Sequence, residues 1–150
     1  MEILRCNDLL SKYKIDITGL VEEFFEESLK EYESGIDMKT LHKSMEIYKD
    51  DSYLMIVEDK CVGLIAGMTI HSPLNNDKIY HEIMWYVKKE YRRKGVFLLR
   101  TVEKMLRDAG YTSIIMTCMH NSMEAKLFHL YRRLGYEPLQ THFRRSLWQK

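Results

Sequence analysis

The residues best suited to chemistry form a basic segment directly after an apolar run. The apolar run is IYHEIMWYV, residues 79–87, and the basic segment is KKEYRRKGVF, residues 88–97. The segment opens a helical pattern, and the first N–H groups of a helix attract anions. Arg92, Arg93 and Lys94 add full positive charges at that place. The arrangement predicts binding of a phosphorylated ligand.

A second apolar run with a following helical pattern lies further along the chain. The run covers residues 113–119, and the helical pattern after it contains LYRRLGY. Tyr131 stands four residues before Gly135, which ends the pattern. Asn121 and Glu124 have the spacing of a capping box, with asparagine in the capping role. The pattern predicts a second unit of strand, turn and helix.

These two regions resemble the GNAT superfamily of acyl-CoA N-acyltransferases. The family's acetyl-CoA motif is Gln/Arg-x-x-Gly-x-Gly/Ala after a strand that ends in an apolar tripeptide, and WYV followed by RRKGVF occupies these places here. The resemblance covers most of the chain and is sharpest over residues 79–137. It implies that acetyl-CoA, and thus coenzyme A, is bound as a co-substrate by Trp85, Tyr86, Val87, Arg92, Arg93, Lys94, Gly95, Val96, Phe97 and Asn121.

The sequence departs from the family motif at two points. Phe97 stands where the family has a small residue, and only two residues separate Gly95 from the Leu98 and Leu99 pair, where the family usually has four. The loop is therefore predicted to be short. Backbone N–H groups hold most of the phosphate contacts in such loops, so a rebuilt loop can still bind the cofactor. A protein that keeps the fold and binds coenzyme A without turnover is the alternative.

Acyl transfer to an amine requires a polarised thioester carbonyl, a deprotonated amine and a protonated leaving thiolate. The resemblance implies that the main chain of residues 85–87 pairs with the pantetheine arm, and that Tyr131 protonates the thiolate. A phenol has an ordinary pKa of about 10, so it has a proton to donate at neutral pH. Packing beside an apolar stripe is the structural alternative for Tyr131.

Two neighbouring residues are candidates for the general base. Glu82 lies on the strand that other family members use for a catalytic glutamate, and it is the first candidate. Counting back from Val87 puts the family's usual position at His81 instead. Neighbours on a strand point to opposite faces, so only one of the two can face the cleft unless a bulge intervenes.

Length and composition predict one domain over residues 1–150. The chain is 45% hydrophobic, which is enough for one sizeable core. It shows no apolar stretch of bilayer length and no pattern of a secretory signal, so we expect a soluble, cytoplasmic protein.

Cysteines and histidines show no spacing typical of a disulfide framework or a metal site. Cys6, Cys61 and Cys118 are odd in number and lie in apolar runs, so we expect reduced thiols in the core. A nucleophilic Cys118 beside His120 is the less favoured alternative. The spacing of His71, His120 and His142 matches no ligand pattern, and we expect no metal.

The net charge of +1 hides an uneven distribution. Residues 1–51 hold seven Lys and Arg against thirteen Asp and Glu, whereas residues 52–150 hold sixteen against nine. A phosphate-rich cofactor suits the basic part, and an amine, which arrives as a cation, suits the acidic part. Ordinary solvated helix faces give the same pattern.

Apolar periodicity and turn residues predict a mixed α/β (α+β) domain. The GNAT fold has the same order of elements, with a mostly antiparallel central sheet flanked by helices. The N-terminal part is predicted to contain a strand over 2–6, a helix that Thr18 caps and Gly35 closes, and a helix that Asp37 caps and that ends near Asp50 and Asp51. Hairpin strands over 53–57 and 62–70 follow, and then a strand over 79–87 and a helix from Val96 to Gly110. The C-terminal part is predicted to contain a strand over 113–119, a helix over 121–135 with Met123, Leu127, Leu130 and Leu134 facing inward, and a last strand over 136–148.

The resemblance implies a small-molecule or peptide amine as the acceptor and is compatible with a homodimer. The basic cluster KKEYRRK, residues 88–94, allows a nucleic-acid reading. One short cluster on a nearly neutral chain is weak support for it, so we expect neither a nucleic-acid partner nor a membrane partner.

Overall fold

A computed structural model describes residues 1–120 and 123–147 of the chain. Its helices and strands follow the predicted order as far as the fourth helix. They are β1 (Glu2–Arg5), α1 (Leu10–Phe24), α2 (Met38–Tyr48), β2 (Ser52–Val57), β3 (Lys60–His71), β4 (Lys78–Val87), α3 (Gly95–Asp108), β5 (Ser113–Ile115) and α4 (Glu124–Arg133).

The five strands form one sheet in the order β1-β2-β3-β4-β5. Antiparallel pairing joins the first four strands, and β5 runs parallel to β4. The turn between β2 and β3 contains Glu58 and Asp59, both with positive φ, as a tight hairpin requires. The prediction of a mixed α/β fold with a mostly antiparallel sheet is confirmed.

Helices cover both faces of the sheet because strand residues alternate between them. One face contributes Leu54, Leu64 and Met84 to a buried cluster with α1 and α2. On the other face, a Cβ built at Gly95 would contact Trp85 and Val87, which places the start of α3 there. The buried side chains of α3 are Leu98, Leu99, Val102 and Leu106.

Contacts group the chain into two compact units, Met1–Thr117 and the part that begins at Cys118. The first unit contains the whole sheet and three helices, and the second contains α4. A single domain over residues 1–150 stays a prediction. None of the helices within the described residues is both long and apolar enough to cross a membrane.

Helix boundaries near the N-terminus differ from the prediction at Thr18 and agree at Asp37. Thr18 lies inside α1 and its hydroxyl donates to the carbonyl of Lys14, so Thr18 is not an N-cap. The regular helix ends at Phe24 and continues as a π-helical turn, Phe25–Leu29, well before Gly35. Asp37 caps α2, since its carboxylate accepts from the backbone N–H of Lys39.

The C-terminal predictions are partly wrong. Residues 136–147 contain no strand, so the predicted last strand is absent from the described part of that segment. The strand predicted over 113–119 is regular only over Ser113–Ile115. Met123, predicted to face inward, is 52% exposed and precedes α4 with a left-handed backbone conformation. Asn121 lies outside the described residues, so its capping role stays a prediction.

A tyrosine ring packs against a glycine at the middle of the sheet. A Cβ built at Gly67 would lie 2.5 Å from Cζ of Tyr80 and 2.6 Å from the carbonyl oxygen of His81. The Tyr80 hydroxyl donates to the carbonyl of Asp51 at 2.6 Å, which fixes the ring over Gly67. This position therefore requires glycine because of the close approach of the ring and the main chain.

We expect Gly67→Ala and Gly19→Ala to change stability in opposite directions. A methyl group at position 67 would force apart β3 and β4 and lower the free energy of unfolding by about 1–3 kcal/mol. Gly19 lies inside α1 with nothing within 4 Å of an added Cβ, so alanine there should raise stability by about 0.5–1 kcal/mol. Urea unfolding of both variants measures the difference. An unchanged midpoint for Gly67→Ala would contradict the close packing of Tyr80.

Candidate active site

The candidate site lies where β4 and β5 separate. Their last register pair is His81 with Ile115, and β4 continues to Val87. Beyond that pair the side chain of Glu82 joins the two segments. Its Oε2 accepts from the backbone N–H of Thr117 at 2.9 Å and from the Thr117 hydroxyl. We call this place, residues 82–87 and 116–117, the β4–β5 fork.

The carboxyl group of Glu82 is buried, with 3% of the residue exposed. Burial raises its pKa to about 7, and the two hydrogen bonds from Thr117 partly oppose that increase because they favour the charged form. Near neutral pH, Glu82 therefore exchanges a proton readily. This property suits a group that takes a proton from an amine.

A β-bulge follows the two candidate bases. In β4, Met84 pairs with Ala66 and Glu82 pairs with Gly67, so Ile83 is the extra residue. The bulge comes after His81 and Glu82, and these neighbours keep the ordinary alternation between faces. His81 is partly buried, and its Nδ1 lies 3.1 Å from the carbonyl oxygen of Glu82.

The WYV tripeptide at the end of β4 divides between the two faces of the sheet. Trp85 and Val87 face the start of α3, where they lie near Gly95. Tyr86 faces α1, and its hydroxyl donates to Glu27 at 2.8 Å and to Glu23 at 3.1 Å. The Tyr86 side chain thus packs and bonds against α1 and the turn that follows it, so only the main chain of Tyr86 is available to contact a cofactor.

The connection from β4 to α3 is short and basic. It consists of Lys88 and a 3-10 turn, Lys89–Lys94, that leads directly into the helix. Arg93 and Lys94 are exposed, and the Lys94 side chain does not cap the helix. The Gly95 N–H, however, donates within the turn to the carbonyl of Arg92, so this donor is used by the fold itself.

The residues that begin α3 differ in their exposure. Gly95 is buried and has φ −58°, an ordinary helical value. A Cβ there would lie 3.6 Å from Trp85 Cζ2, an ordinary contact, so the fold does not require glycine at this position. Val96 is partly buried and Phe97 is 50% exposed.

Arg92 makes an ion pair with Glu27, which lies in the π-helical turn Phe25–Leu29 after α1. Its Nη2 lies 2.5 Å from Oε2 of Glu27, and its guanidinium lies over the ring of Tyr86. Burial acts to raise the pKa of Glu27, but hydrogen bonds from Tyr86 and Arg92 outweigh it and lower the pKa. Lys88 and Lys89 add weaker pairs with Glu23 and Glu27 at 3.7 and 3.9 Å. The cluster ties the β4–α3 connection to α1.

Tyr131 lies in the second compact unit and is 9% exposed. Its carbonyl accepts from the N–H of Tyr136 at 2.9 Å, and the Gly135 N–H donates to the carbonyl of Arg132. Gly135 has φ +92°, so these bonds form a Schellman cap. The rings of Tyr131 and Tyr136 pack at 5.4 Å between centroids, as that cap favours. The cap accounts for the Tyr-x-x-x-Gly spacing without any catalytic role.

The other candidates have structural partners of their own. Cys6, Cys61 and Cys118 are free thiols, and the first two are buried. Burial raises the pKa of Cys118, so little of it is thiolate at neutral pH. His120 lies 2.9 Å from a carboxylate oxygen of Glu124. Over residues 1–120 and 123–147, no group of three or more His, Cys, Asp or Glu side chains could hold a metal ion.

Sequence reasoning missed Thr117, Glu23 and Glu27. Thr117 is 35 residues from Glu82, and Glu27 is 65 residues from Arg92. No local pattern reports pairing over such distances. The π-helical turn that carries Glu27 also rotates its side chain away from the position that a regular helix predicts.

Comparison with known proteins agrees with this geometry. The model of the acetyltransferase (GNAT) family matches residues 17–136. Human N-acetyltransferase 8 is 27% identical over 88 residues, which are 57% of this chain and 38% of that protein. N-acetyltransferase 8B of Rattus norvegicus is 25% identical over 93 residues, 61% of this chain and 41% of that protein. The chain thus spans about two fifths of the length of these relatives.

Solved structures share the fold at low identity. A ribosomal-protein-alanine N-acetyltransferase from Brucella melitensis biovar Abortus 2308 matches with TM-score 0.71 and 12% identity over 97% of this chain and 96% of that one. An aminoglycoside acetyltransferase from an uncultured soil metagenomic sample matches with TM-score 0.70 and 19% identity over 97% and 94%. These matches support the fold, and the family model covers most of the sequence. The chain belongs to the GNAT acetyltransferase family.

Proposed function

We propose that the protein is an acetyl-CoA-dependent N-acetyltransferase that moves the acetyl group directly to a primary amine in a ternary complex. One observation carries the proposal. A buried carboxyl with a pKa of about 7 lies at the β4–β5 fork, on the same strand that leads into the basic connection before α3. Family membership supports acetyl transfer in general.

The residues of the basic connection suit a polyphosphate. Arg93 and Lys94 are exposed beside the first turn of α3, so both can pair with phosphate oxygens. Past its last pair with β5, the main chain of β4 at residues 85–87 is assigned to the pantetheine arm. Arg92, Gly95, Val96, Phe97 and Asn121 complete the proposed cofactor site. Bound acetyl-CoA supplies an activated acyl carbon.

Proton transfers fall to three side chains. Glu82 accepts the proton that the amine nitrogen loses as its bond to the acyl carbon forms, and His81 is the second candidate for this role. Tyr131 donates its phenolic proton to the sulfur as the carbon–sulfur bond breaks. The nitrogen gains the acyl group, and the sulfur leaves as a thiol.

The acceptor is a small-molecule or peptide amine. Two solved structures with this fold are named for chemically different amines, one an aminoglycoside and the other a ribosomal-protein alanine. The fold therefore does not select between these two classes of acceptor. A cytoplasmic location and a homodimer belong to the same proposal and rest on the family resemblance alone.

A coenzyme A-binding protein with little or no turnover is the second candidate. Three observations favour it: Phe97, which stands where the family has a small residue, is half exposed at the start of α3, the β4–α3 connection is short, and Arg92 is paired with Glu27. Incubation with acetyl-CoA and a panel of amines, with release of free thiol as the signal, separates the two candidates.

Acetyl-CoA should raise the melting temperature, since a ligand that binds only the folded state stabilises it by mass action. At a hundred times the dissociation constant, the gain is about 2.7 kcal/mol. The double variant Arg93→Gln with Lys94→Gln should reduce the shift, because it removes two positive charges beside the first turn of α3, and Lys43→Gln on the exposed side of α2 should keep the full shift. No shift of the unmodified protein at millimolar acetyl-CoA would count against both candidates.

Glu82→Gln should lower kcat by on the order of a hundredfold or more and remove the rise in rate near pH 7. Stability gives an independent readout. The folded pKa of Glu82 is raised, so its contribution is fully present below about pH 4.5 and lost as pH rises through about 7. The unmodified protein should therefore lose up to about 3 kcal/mol relative to the variant over this range. Parallel urea unfolding at pH 4.5 and 8 checks this. If the unmodified protein and Glu82→Gln lost the same free energy of unfolding between pH 4.5 and 8, the raised pKa of Glu82 would be contradicted.

Tyr131→Phe should lower kcat by on the order of ten- to a thousandfold with little change in stability or in affinity for acetyl-CoA. Phenylalanine keeps the ring contact with Tyr136 and the backbone cap, and it deletes only the proton donor. Tyr136→Phe is the matched control, because it removes a hydroxyl from the facing ring. Steady-state thiol release and a thermal melt measure both effects. Full activity of Tyr131→Phe would leave the tyrosine with its capping role alone.

A further inference from the structure

The two oxygens of the Glu82 carboxyl differ in their contacts. Oε2 accepts both hydrogen bonds from Thr117, one from the backbone N–H at 2.9 Å and one from the hydroxyl. Among residues 1–120 and 123–147, no group donates to Oε1. Within the same residues, Asn7 Oδ1 is the one side-chain oxygen or nitrogen that is both enclosed and unpartnered, so Oε1 keeps contact with solvent. Oε1 is therefore the oxygen that is open to a ligand.

The strand register places the Glu82 side chain on the sheet face that α3 covers. Glu82 pairs with Gly67 of β3, which shares a face with Ile65. Ile65 pairs with Trp85, and Trp85 lies near the start of α3. His81 precedes Glu82 on the strand and faces the opposite side. An amine that gives its proton to Oε1 thus meets the sheet on the face of Trp85 and not on the face of His81.

Thr117 controls both the orientation and the charge of this carboxyl. A free carboxyl group turns easily about its last bond, so either oxygen can occupy either place. Two donors from one residue at the same oxygen hold Oε2 towards Thr117 and oppose that rotation. The same hydrogen bonds favour the ionised form, against the effect of burial. The contact therefore keeps Oε1 both open and able to accept a proton.

The elements around Glu82 add no charged group to this contact in the described part of the chain. On β4, Tyr80 is neutral because burial raises its pKa, and His81 lies on the other face. The pairing residue on β3 is Gly67, and Ser113–Ile115 of β5 contains no titratable side chain. The buried residues of α3 are apolar. A change with pH at this carboxyl thus reports its own ionisation.

We propose that Thr117 is a positioning residue for acyl transfer, which holds Oε2 of Glu82 and leaves Oε1 to take the proton from the amine. The lone pair of the nitrogen forms the bond to the acyl carbon, the proton passes to Oε1, and the electrons of the broken N–H bond stay on the nitrogen. The carbon–sulfur bond breaks, and the sulfur receives its proton from Tyr131. This inference rests on the proposed function and specifies how its base is held.

Three substitutions separate the hydroxyl contact from the fold. Thr117→Val keeps the size of the side chain and the backbone N–H but removes the hydroxyl donor, and Thr117→Ser keeps the hydroxyl. Thr112→Val is the matched control, because the Thr112 hydroxyl donates to the carbonyl of Lys78 at 3.3 Å, just before β5. The control loses a hydroxyl from the same segment without altering Glu82.

A carbon-13 NMR titration of the Glu82 carboxyl measures the contact without turnover, and the signal is assigned by its absence from Glu82→Gln. Loss of one hydrogen bond to the carboxylate should raise the pKa of Glu82 by about one to two in Thr117→Val. Thr117→Ser and Thr112→Val should leave this pKa near that of the unmodified protein. An unchanged pKa in Thr117→Val would overturn the inference.

The rate of thiol release should follow the same pKa. The assay uses acetyl-CoA and the best amine of a panel of peptides, polyamines and aminoglycosides. Dividing kcat/KM of Thr117→Val by that of the unmodified protein cancels the titration of the amine. The ratio should be about one fifth to one fiftieth at pH 7 and should rise towards one at pH 9.5, where most of the carboxyl is ionised in both proteins. Thr117→Ser should restore the ratio at pH 7. A loss that is equal at every pH would overturn the inference.

A double-mutant cycle tests whether Thr117 acts through Glu82. In the Glu82→Gln protein, Thr117→Val should cause no further loss of kcat, because the base is already absent. A further loss of the full size would give Thr117 a separate role and overturn the inference.

The outcomes separate the positioning role from the reaction. A raised pKa of Glu82 with an unchanged rate profile would show that Glu82 is not the base, which overturns the inference and leaves acetyl transfer intact. If the unmodified protein released thiol with none of the amines, the transferase proposal would be rejected, and the role of Thr117 in a reaction with it. The NMR titration would then still decide whether Thr117 holds the carboxyl.

Discussion

The hydrogen bonds between Glu82 and Thr117 are the interaction on which the candidate site depends. β4 pairs with β3 along its length but with β5 over only three residues. Where that parallel ladder ends, a carboxylate accepts both the backbone N–H and the hydroxyl of one residue. The side chain thereby replaces backbone pairing at the start of the fork. The gap between β4 and β5 therefore begins at Glu82, whose buried side chain bridges the two segments there.

The basic connection is positioned by a second polar cluster. Arg92 would be a mobile cation on a short turn, but its pair with Glu27 and its stacking on Tyr86 hold it against α1. Glu27 belongs to the π-helical turn Phe25–Leu29, and such turns occur often at functional sites. The cluster therefore joins the end of α1 to the residues proposed to bind the cofactor.

The sequence was sufficient for the elements with strong local signals. The hairpin of β2 and β3, the Asp37 cap and the Gly110 end of α3 depend on residues close together in the chain, and these predictions are confirmed. Thr18 was mistaken for a cap because threonine inside a helix can bond to the preceding turn instead.

The site itself was harder to predict because its geometry depends on distant contacts. The bulge at Ile83, the Glu82–Thr117 bridge and the Arg92–Glu27 pair all join elements whose relative register no local pattern encodes. Alternation of apolar residues over 136–148 indicated a strand, yet 136–147 contains none. A strand needs a partner edge, and periodicity reports only the face that it would bury.

The fold and the proposed reaction favour different protonation states of Glu82. Burial favours the neutral acid, whereas proton abstraction needs the carboxylate, so the useful form is the one that the fold holds less well. Thr117 reduces this conflict because its two donors favour the charged form. More donors would lower the pKa and yield a weaker base, and fewer would leave the acid protonated at neutral pH. A single residue with two donors keeps the pKa near 7, where a proton can be both taken and released.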